Sequence, residues 1–498
     1  MATIKNPIIR GYNPDPSICR VEDTFYLVTS TFEYFPGITI YKSENLVNWE
    51  LVGHCLSDRD DLVLDGCRPS GGLFAPTIRY HDGHFFVMCT NTTDKGNFII
   101  HADDINGPWS KPHWVDQGGI DPSLLFDEDG KVYLHSSVEH DGIHEILQCE
   151  VNPYTGQKLS DSRPITIGTG GKYPEAPHMY KLFGKYYLIL AEGGTEYGHM
   201  VTMFRADSPW GPFESCPHNP ILSHRGLSAQ YHPFQCVGHA DIVEDGNGDW
   251  WMVALGIRVL PGALLHNIGR ETFLARMTWW DDGWPLINEN GILTESLEMP
   301  GELSNDPVDF EDDFSSKDFS KEYLFLRNPD MKNFVREDNS MRLHASVSLE
   351  SLGSPTLICV RQKEWKAHVT ATVHVPDGRE ECEAGISAFY CDDQQYNLYV
   401  RRKSNQRTIV LKKRLYDITE TVELPLENDA VELCIDSDSR SYTFSVVDGE
   451  HRKQLGKASV FGLCTEISSK MTFTSAMFGM FCEKGCAQFT HFSVSYNM

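Results

Sequence analysis

Three acidic residues stand at one phase of a recurring phrase. Asp15 opens Asp15-Pro-Ser, Asp121 opens Asp121-Pro-Ser, and Glu175 directly precedes Ala176-Pro-His. Two further copies of the phrase open on Ala75-Pro-Thr and His239-Ala-Asp. A lone Asp-Pro is a turn former; recurrence at one phase instead predicts that distant residues are carried to one place. Converging carboxyl groups can divide acid–base work, one donating a proton from a raised pKa while another stays ionised and activates water. For a glycosidic bond two such groups suffice, and a separation of roughly 6.5–9.5 Å leaves room for the water and inverts the anomeric centre. A third carboxylate near the acid would raise its pKa by like-charge repulsion and orient it through hydrogen bonds.

The elements that must position these residues follow from the repeat itself. Its five copies run Asp15-PSICRVEDTFYLVTS, Ala75-PTIRYHDGHFFVMCT, Asp121-PSLLFDEDGKVYLHSS, Ala176-PHMYKLFGKYYLILA and His239-ADIVEDGNGDWWMVALG, recurring every ~45–65 residues. Each has a Gly/Asp turn between two strand-like runs, which is hairpin chemistry. Trp-bearing segments (Leu46–Trp49, Ile105–Trp109, Ser208–Trp210) follow several hairpins and read as the outer strands of each sheet. Five such sheets predict a five-bladed β-propeller over residues 1–300, with the first residue of each inner strand aimed at the axis. Met299-Pro-Gly-Glu-Leu-Ser-Asn-Asp-Pro307 suits a linker. Beyond it, period-two runs such as His368–His374 and Tyr442–Val447 predict a β-sandwich over residues 308–498, packed on the propeller; the fold class is all-β.

Composition excludes several functions. With 43 basic against 70 acidic residues the net charge is −27, which repels phosphate backbones and disfavours nucleic-acid binding. No run of about 18 apolar residues occurs, so no helical membrane span is expected. The N-terminus has no signal-peptide pattern, which points to the cytoplasm, and the 14 cysteines then read as reduced, buried thiols. Cys482 and Cys486 are a weak metal signal, and no metal ligand is assigned.

At this point the motifs Tyr12-Asn-Pro-Asp15-Pro-Ser, Gly72-Leu-Phe-Ala-Pro-Thr-Ile-Arg79, Asp121-Pro-Ser, Pro174-Glu-Ala-Pro-His178, Gly238-His-Ala and Gly269-Arg-Glu-Thr272 closely resemble glycoside hydrolase family 43, in particular its two-domain β-xylosidases and α-L-arabinofuranosidases. Asp312-Asp-Phe314, Leu326-Arg-Asn-Pro329 and Val360-Arg-Gln362 extend the resemblance into the second half, where they resemble the β-xylosidase C-terminal domain and imply that the sandwich is a concanavalin-like jelly roll. It implies Asp15 as general base, Glu175 as general acid and Asp121 as the residue that orients the acid and tunes its pKa. It implies Arg270 in the sugar pocket, where a guanidinium fork can hold hydroxyls and carboxylates. His239 matches a histidine near the axis, in contact with the active-site water network or, in some relatives, with bound Ca2+. Phe32 and Phe74 would be apolar walls against the sugar, Phe74 standing where relatives often carry Trp. Met477 falls where relatives often have Phe on a closing sandwich loop, and receives no role.

The expected activity is exo-acting, inverting release of terminal xylose or arabinofuranose from short plant-wall xylo- or arabinoxylo-oligosaccharides, without a required cofactor and from a homo-oligomer such as two-domain relatives form. A non-catalytic sugar-binding protein, and an arabinanase or galactanase on the same scaffold, are the competing readings.

Overall fold

The computed structural model describes residues 2–496 apart from 301–302, 377, 379, 405, 450, 469 and 471. Its first part is five four-stranded antiparallel blades, the fourth with a short extra strand. The inner strands are Ser17–Val21, Thr77–His81, Ile120–Phe126, Glu175–Leu182 and Phe234–Glu244, so each repeat phrase lies at or just before an inner strand except the last, where His239 falls mid-strand. The ring is joined by a separate two-stranded ribbon, Ala2–Lys5 against Ser296–Met299, and by Ile9 pairing with Thr272 of the fifth blade.

The Trp-bearing segments are not the outer strands. Those strands are Glu50–Leu56, His113–Trp114 and Glu214–Ser215, and Trp49, Trp109 and Trp210 lie in the loops leading into them. Pro108 and Pro212 have no N–H to give a ladder, and Asn45, Asp104 and Ser208 side chains accept backbone N–H groups locally, folding these stretches as turns.

The second part is two packed sheets of eight strands each, with an apolar core between them. One strand of the second sheet is lent by the propeller: Tyr34–Phe35, in the first blade's loop, pairs with Leu326 and Phe325 at the sheet edge. Charged groups finish the junction. Arg361, 1% exposed, donates from Nε to the Tyr12 carbonyl (2.6 Å) and from Nη2 to Thr39 Oγ1 (2.8 Å). Arg258 of the fifth blade bridges Glu271 (2.6 Å) and the sandwich's Glu364 (2.6 Å). Because removing one partner from such a buried set leaves an unpaired charge, the sandwich is fixed on the propeller end where residues 12–15 begin the first blade.

Candidate active site

The chain turns abruptly at four of the five repeat starts. Asp15, Asp121, Ala176 and His239 have φ of 56°, 52°, 49° and 44°, a left-handed conformation that costs a non-glycine residue roughly 1–2 kcal/mol. The ladders of the third, fourth and fifth blades slip in register at these points. A bulge of this kind re-aims a side chain, and here it directs inner-strand residues to one end of the axis. Glu175 is one residue out of phase, since Ala176 takes the left-handed position that Asp15 and Asp121 occupy in their blades.

These residues meet in a cavity of ≈ 80 Å³ lined by Asp15, Asp121, Glu175, His239, Arg270, Phe32 and Phe74, together with Ala75, Ile120, Ala191, Thr195, His199 and Phe473. A larger hollow of ≈ 690 Å³ by Trp114 and Asp116 collects none of the three carboxylates.

Asp15 is held by donors. Ser30 Oγ donates to Oδ2 at 2.6 Å and Arg270 Nη1 to Oδ1 at 3.2 Å. The preceding Asn13 fixes that geometry, taking Tyr41 Oη at 2.8 Å while its own N–H donates to the Arg270 carbonyl at 3.0 Å. Arg270 also donates to Thr195 Oγ1 at 2.9 Å, and its guanidinium lies 5.5 Å and 5.0 Å from the ring centres of Phe32 and Phe473.

Glu175 and Asp121 are poorer in donors. Burial first, then the Asp15 charge, pushes Glu175 up to about 7. Burial, then Glu175 and Asp15, holds Asp121 well above the usual carboxylate range, although the Ala176 N–H favours its ionised form. Two acids that repel in this way titrate as a pair, and the pair keeps a proton near neutral pH. That N–H belongs to the residue next to Glu175, so Asp121 lies by the backbone that carries the other acid.

His239 lies with Nδ1 3.5 Å from Asp15 Oδ1. Burial pushes it down to about 3, so the imidazole is neutral and the contact is not an ion pair. The surroundings do not fit calcium, which takes 6–8 oxygen ligands. One carboxylate is near, already engaged by Ser30 and Arg270, and beneath it the axis is occupied by the Arg79 guanidinium, 2.9 Å from both His178 and Asp241. Among the described residues the only three-ligand grouping is Cys391, Asp392 and Asp393, whose carboxylates are 2.7 and 2.9 Å from Lys470 Nζ. Cys482 and Cys486 flank the Lys484-Gly485 turn, where the Cys482 thiol donates to backbone carbonyls.

The apolar side consists of Phe32, Phe74 and Phe473, with ring centres 5.2, 5.4 and 5.8 Å apart. Phe473 comes from the sandwich and was not expected. Met477, four residues on, is fully buried in the sandwich on the strand Met477–Lys484 and lies outside the pocket lining. Thr195 and His199, from the glycine-rich stretch after the fourth blade's second strand, also enter unannounced, whereas Glu192 turns away to accept from Thr169 and Thr202. His199 Nδ1 donates to the Cys236 carbonyl at 2.9 Å, which leaves Nε2 as the acceptor.

Two family models divide the chain. "Glycosyl hydrolases family 43" matches residues 4–285, and "Beta xylosidase C-terminal Concanavalin A-like domain" matches residues 311–495. A non-reducing end α-L-arabinofuranosidase of Bacteroides ovatus is 40% identical, covering 96% of this chain and 91% of its own length. A xylosidase/arabinosidase of Butyrivibrio fibrisolvens is 36% identical over 82% of this chain and 81% of its own. The crystal structure of a xylan β-1,4-xylosidase from Bacillus halodurans superposes with a TM-score of 0.93 at 28% identity, covering 99% of this chain and 100% of the other.

Proposed function

Since this chain belongs to glycosyl hydrolase family 43, we propose that it removes terminal pentose units, α-L-arabinofuranose or β-1,4-linked xylose, from xylo- and arabinoxylo-oligosaccharides. It is an exo-acting, inverting glycoside hydrolase with arabinofuranosidase and xylosidase relatives. The observation that carries the assignment of roles is the contrast inside one pocket between Asp15, which accepts from Arg270 and Ser30, and Glu175, raised to about 7.

In the proposed mechanism Asp15 takes a proton from a water that attacks the anomeric carbon. Glu175 gives its proton to the glycosidic oxygen as that bond breaks. Asp121 steers Glu175, while burial and the Asp15 charge keep Glu175 protonated in the free enzyme. Arg270 and Thr195 bind hydroxyls, and the three phenylalanine rings meet the C–H faces of one sugar. A cavity closed by rings from both domains suits a chain end better than an internal segment. Step-resolved proton NMR tests the outcome: the first-formed sugar should have the opposite anomeric configuration to the substrate, and retention would contradict the mechanism.

No cofactor is proposed, because the groups around His239 do not suit a hard cation; a chelator should leave kcat/KM unchanged. A reducing, cytoplasmic compartment is supported by fourteen unpaired cysteines, all but Cys486 buried. A homo-oligomer is proposed from the family resemblance, and light scattering would read it. A panel of p-nitrophenyl pentosides decides between arabinofuranose and xylose.

A further inference from the structure

Glu33 is a buried acid that the mechanism does not use. It is 2% exposed, and among the described residues none forms an ion pair with it. The nearby Arg327 spends its side chain on the carbonyls of Cys67 (2.6 Å), Ser351 (3.3 Å) and Gly353 (2.9 Å). An acid retained in such a place has a cost, so what its oxygens hold is informative.

Glu33 Oε2 accepts the Ser70 N–H at 2.9 Å, and Ser70 Oγ accepts the Phe473 N–H at 2.6 Å. The Glu33 carbonyl accepts the Arg327 N–H at 2.8 Å, beside the strand that the propeller lends to the sandwich. On its other side Phe32 exchanges two backbone hydrogen bonds with Leu73, at 2.9 and 3.1 Å, immediately before Phe74. This approach requires glycine at position 72, where a Cβ would stand 2.4 Å from the Phe32 oxygen at φ +80°. The three rings of the pocket wall therefore sit on three separate segments, from two domains, that converge on one carboxylate and one hydroxyl.

We propose that Glu33 is a positioning residue which, through Ser70, joins the Phe32, Phe74 and Phe473 walls and so sets how closely the sandwich covers the terminal sugar. The part played is in binding: the walls touch the substrate's apolar faces before and during reaction alike, so their loosening raises KM more than it lowers kcat. Burial pushes Glu33 up to about 7, so at neutral pH glutamine is a fair replacement, with a carbonyl oxygen able to take the Ser70 N–H.

The test is steady-state kinetics on the p-nitrophenyl pentoside that the wild type cleaves best, alongside thermal unfolding of each variant. Glu33→Ala and Ser70→Ala should raise KM about tenfold while kcat stays within about threefold, and Glu33→Gln should return KM to within about twofold of wild type. If Glu33→Ala does not fold, Ser70→Ala decides alone, since it removes only the acceptor for Phe473 and leaves the Ser70 N–H bonded to Glu33. Unmoved KM in folded Ser70→Ala overturns the proposal, as does a Glu33→Gln variant with KM as high as Glu33→Ala. The inference rests on the pocket being the sugar site: a wild type that cleaves no pentoside overturns both readings, whereas an active wild type with unmoved KM in the variants overturns this one alone.

Discussion

Two polar groups share the propeller axis, a lower one around the carboxylate of Asp241 and an upper one of Asp15, Asp121 and Glu175, and they are built to opposite ends. In the lower group Asp241, 0% exposed, accepts Ser17 Oγ at 2.6 Å, Arg79 Nη1 at 2.9 Å and the backbone N–H groups of Ile18 (3.1 Å) and Ile242 (2.8 Å), with Tyr180 Oη hydrogen-bonded as well. Burial alone would raise this acid, but Arg79, His178 and Ser17 outweigh it and hold Asp241 well below the usual range. In the upper group burial acts in the same direction, yet Glu175 and Asp121 face other carboxylates and few donors, and both are raised. Desolvation pushes both sites upward and so does not explain the difference. The supply of donors does, and it separates a structural anion from a proton donor.

Substitutions should pull the two groups apart. Asp15→Asn should lower kcat by about 10³-fold or more on every pentoside, because the general base is needed whatever the leaving group; steady-state rates on aryl and natural substrates check this. Asp241→Asn should cost about 3–5 kcal/mol of stability by leaving the part-buried Arg79 guanidinium without its carboxylate. Asp121→Asn should do the reverse, removing like-charge repulsion and raising stability by about 1 kcal/mol while activity falls. Denaturant unfolding of both variants reads the difference, and equal losses would erase the comparison. The smallest effect is on pH. Glu175 must carry a proton and is raised to about 7, so kcat/KM of the wild type should fall as pH rises through about 7, and this basic limb should be absent from Glu175→Gln on an activated substrate.

Much of the upper group is legible in the sequence, because a propeller converts phase in the sequence into position in space. Asp15, Asp121 and His239, found by phase, and Arg270, implied by the family resemblance, all line one cavity. Glu175 was found by its neighbour Ala176, although the left-handed residue of its blade is Ala176 and not the acid itself. Phe473 was out of reach, since a residue in an irregular loop between sandwich strands carries no periodicity, and its place depends on how two domains dock. The lent strand Tyr34–Phe35 was hidden for a similar reason: two residues are too few for an alternating pattern. Trp49, Trp109 and Trp210 misled because aromatic content resembles strand content, while the turn-forming Asn, Asp, Gly and Pro beside them decided the backbone.

The most direct test of the account is the leaving-group dependence of Glu175→Gln. A variant without its proton donor should lose about 10²–10⁴-fold on a xylo- or arabinoxylo-oligosaccharide, whose leaving oxygen needs protonation, and far less on a p-nitrophenyl pentoside, whose leaving group departs as a stable phenolate. Equal losses on the two substrates would contradict Glu175 as the acid, and with it the division of labour between Asp15 and the protonated pair.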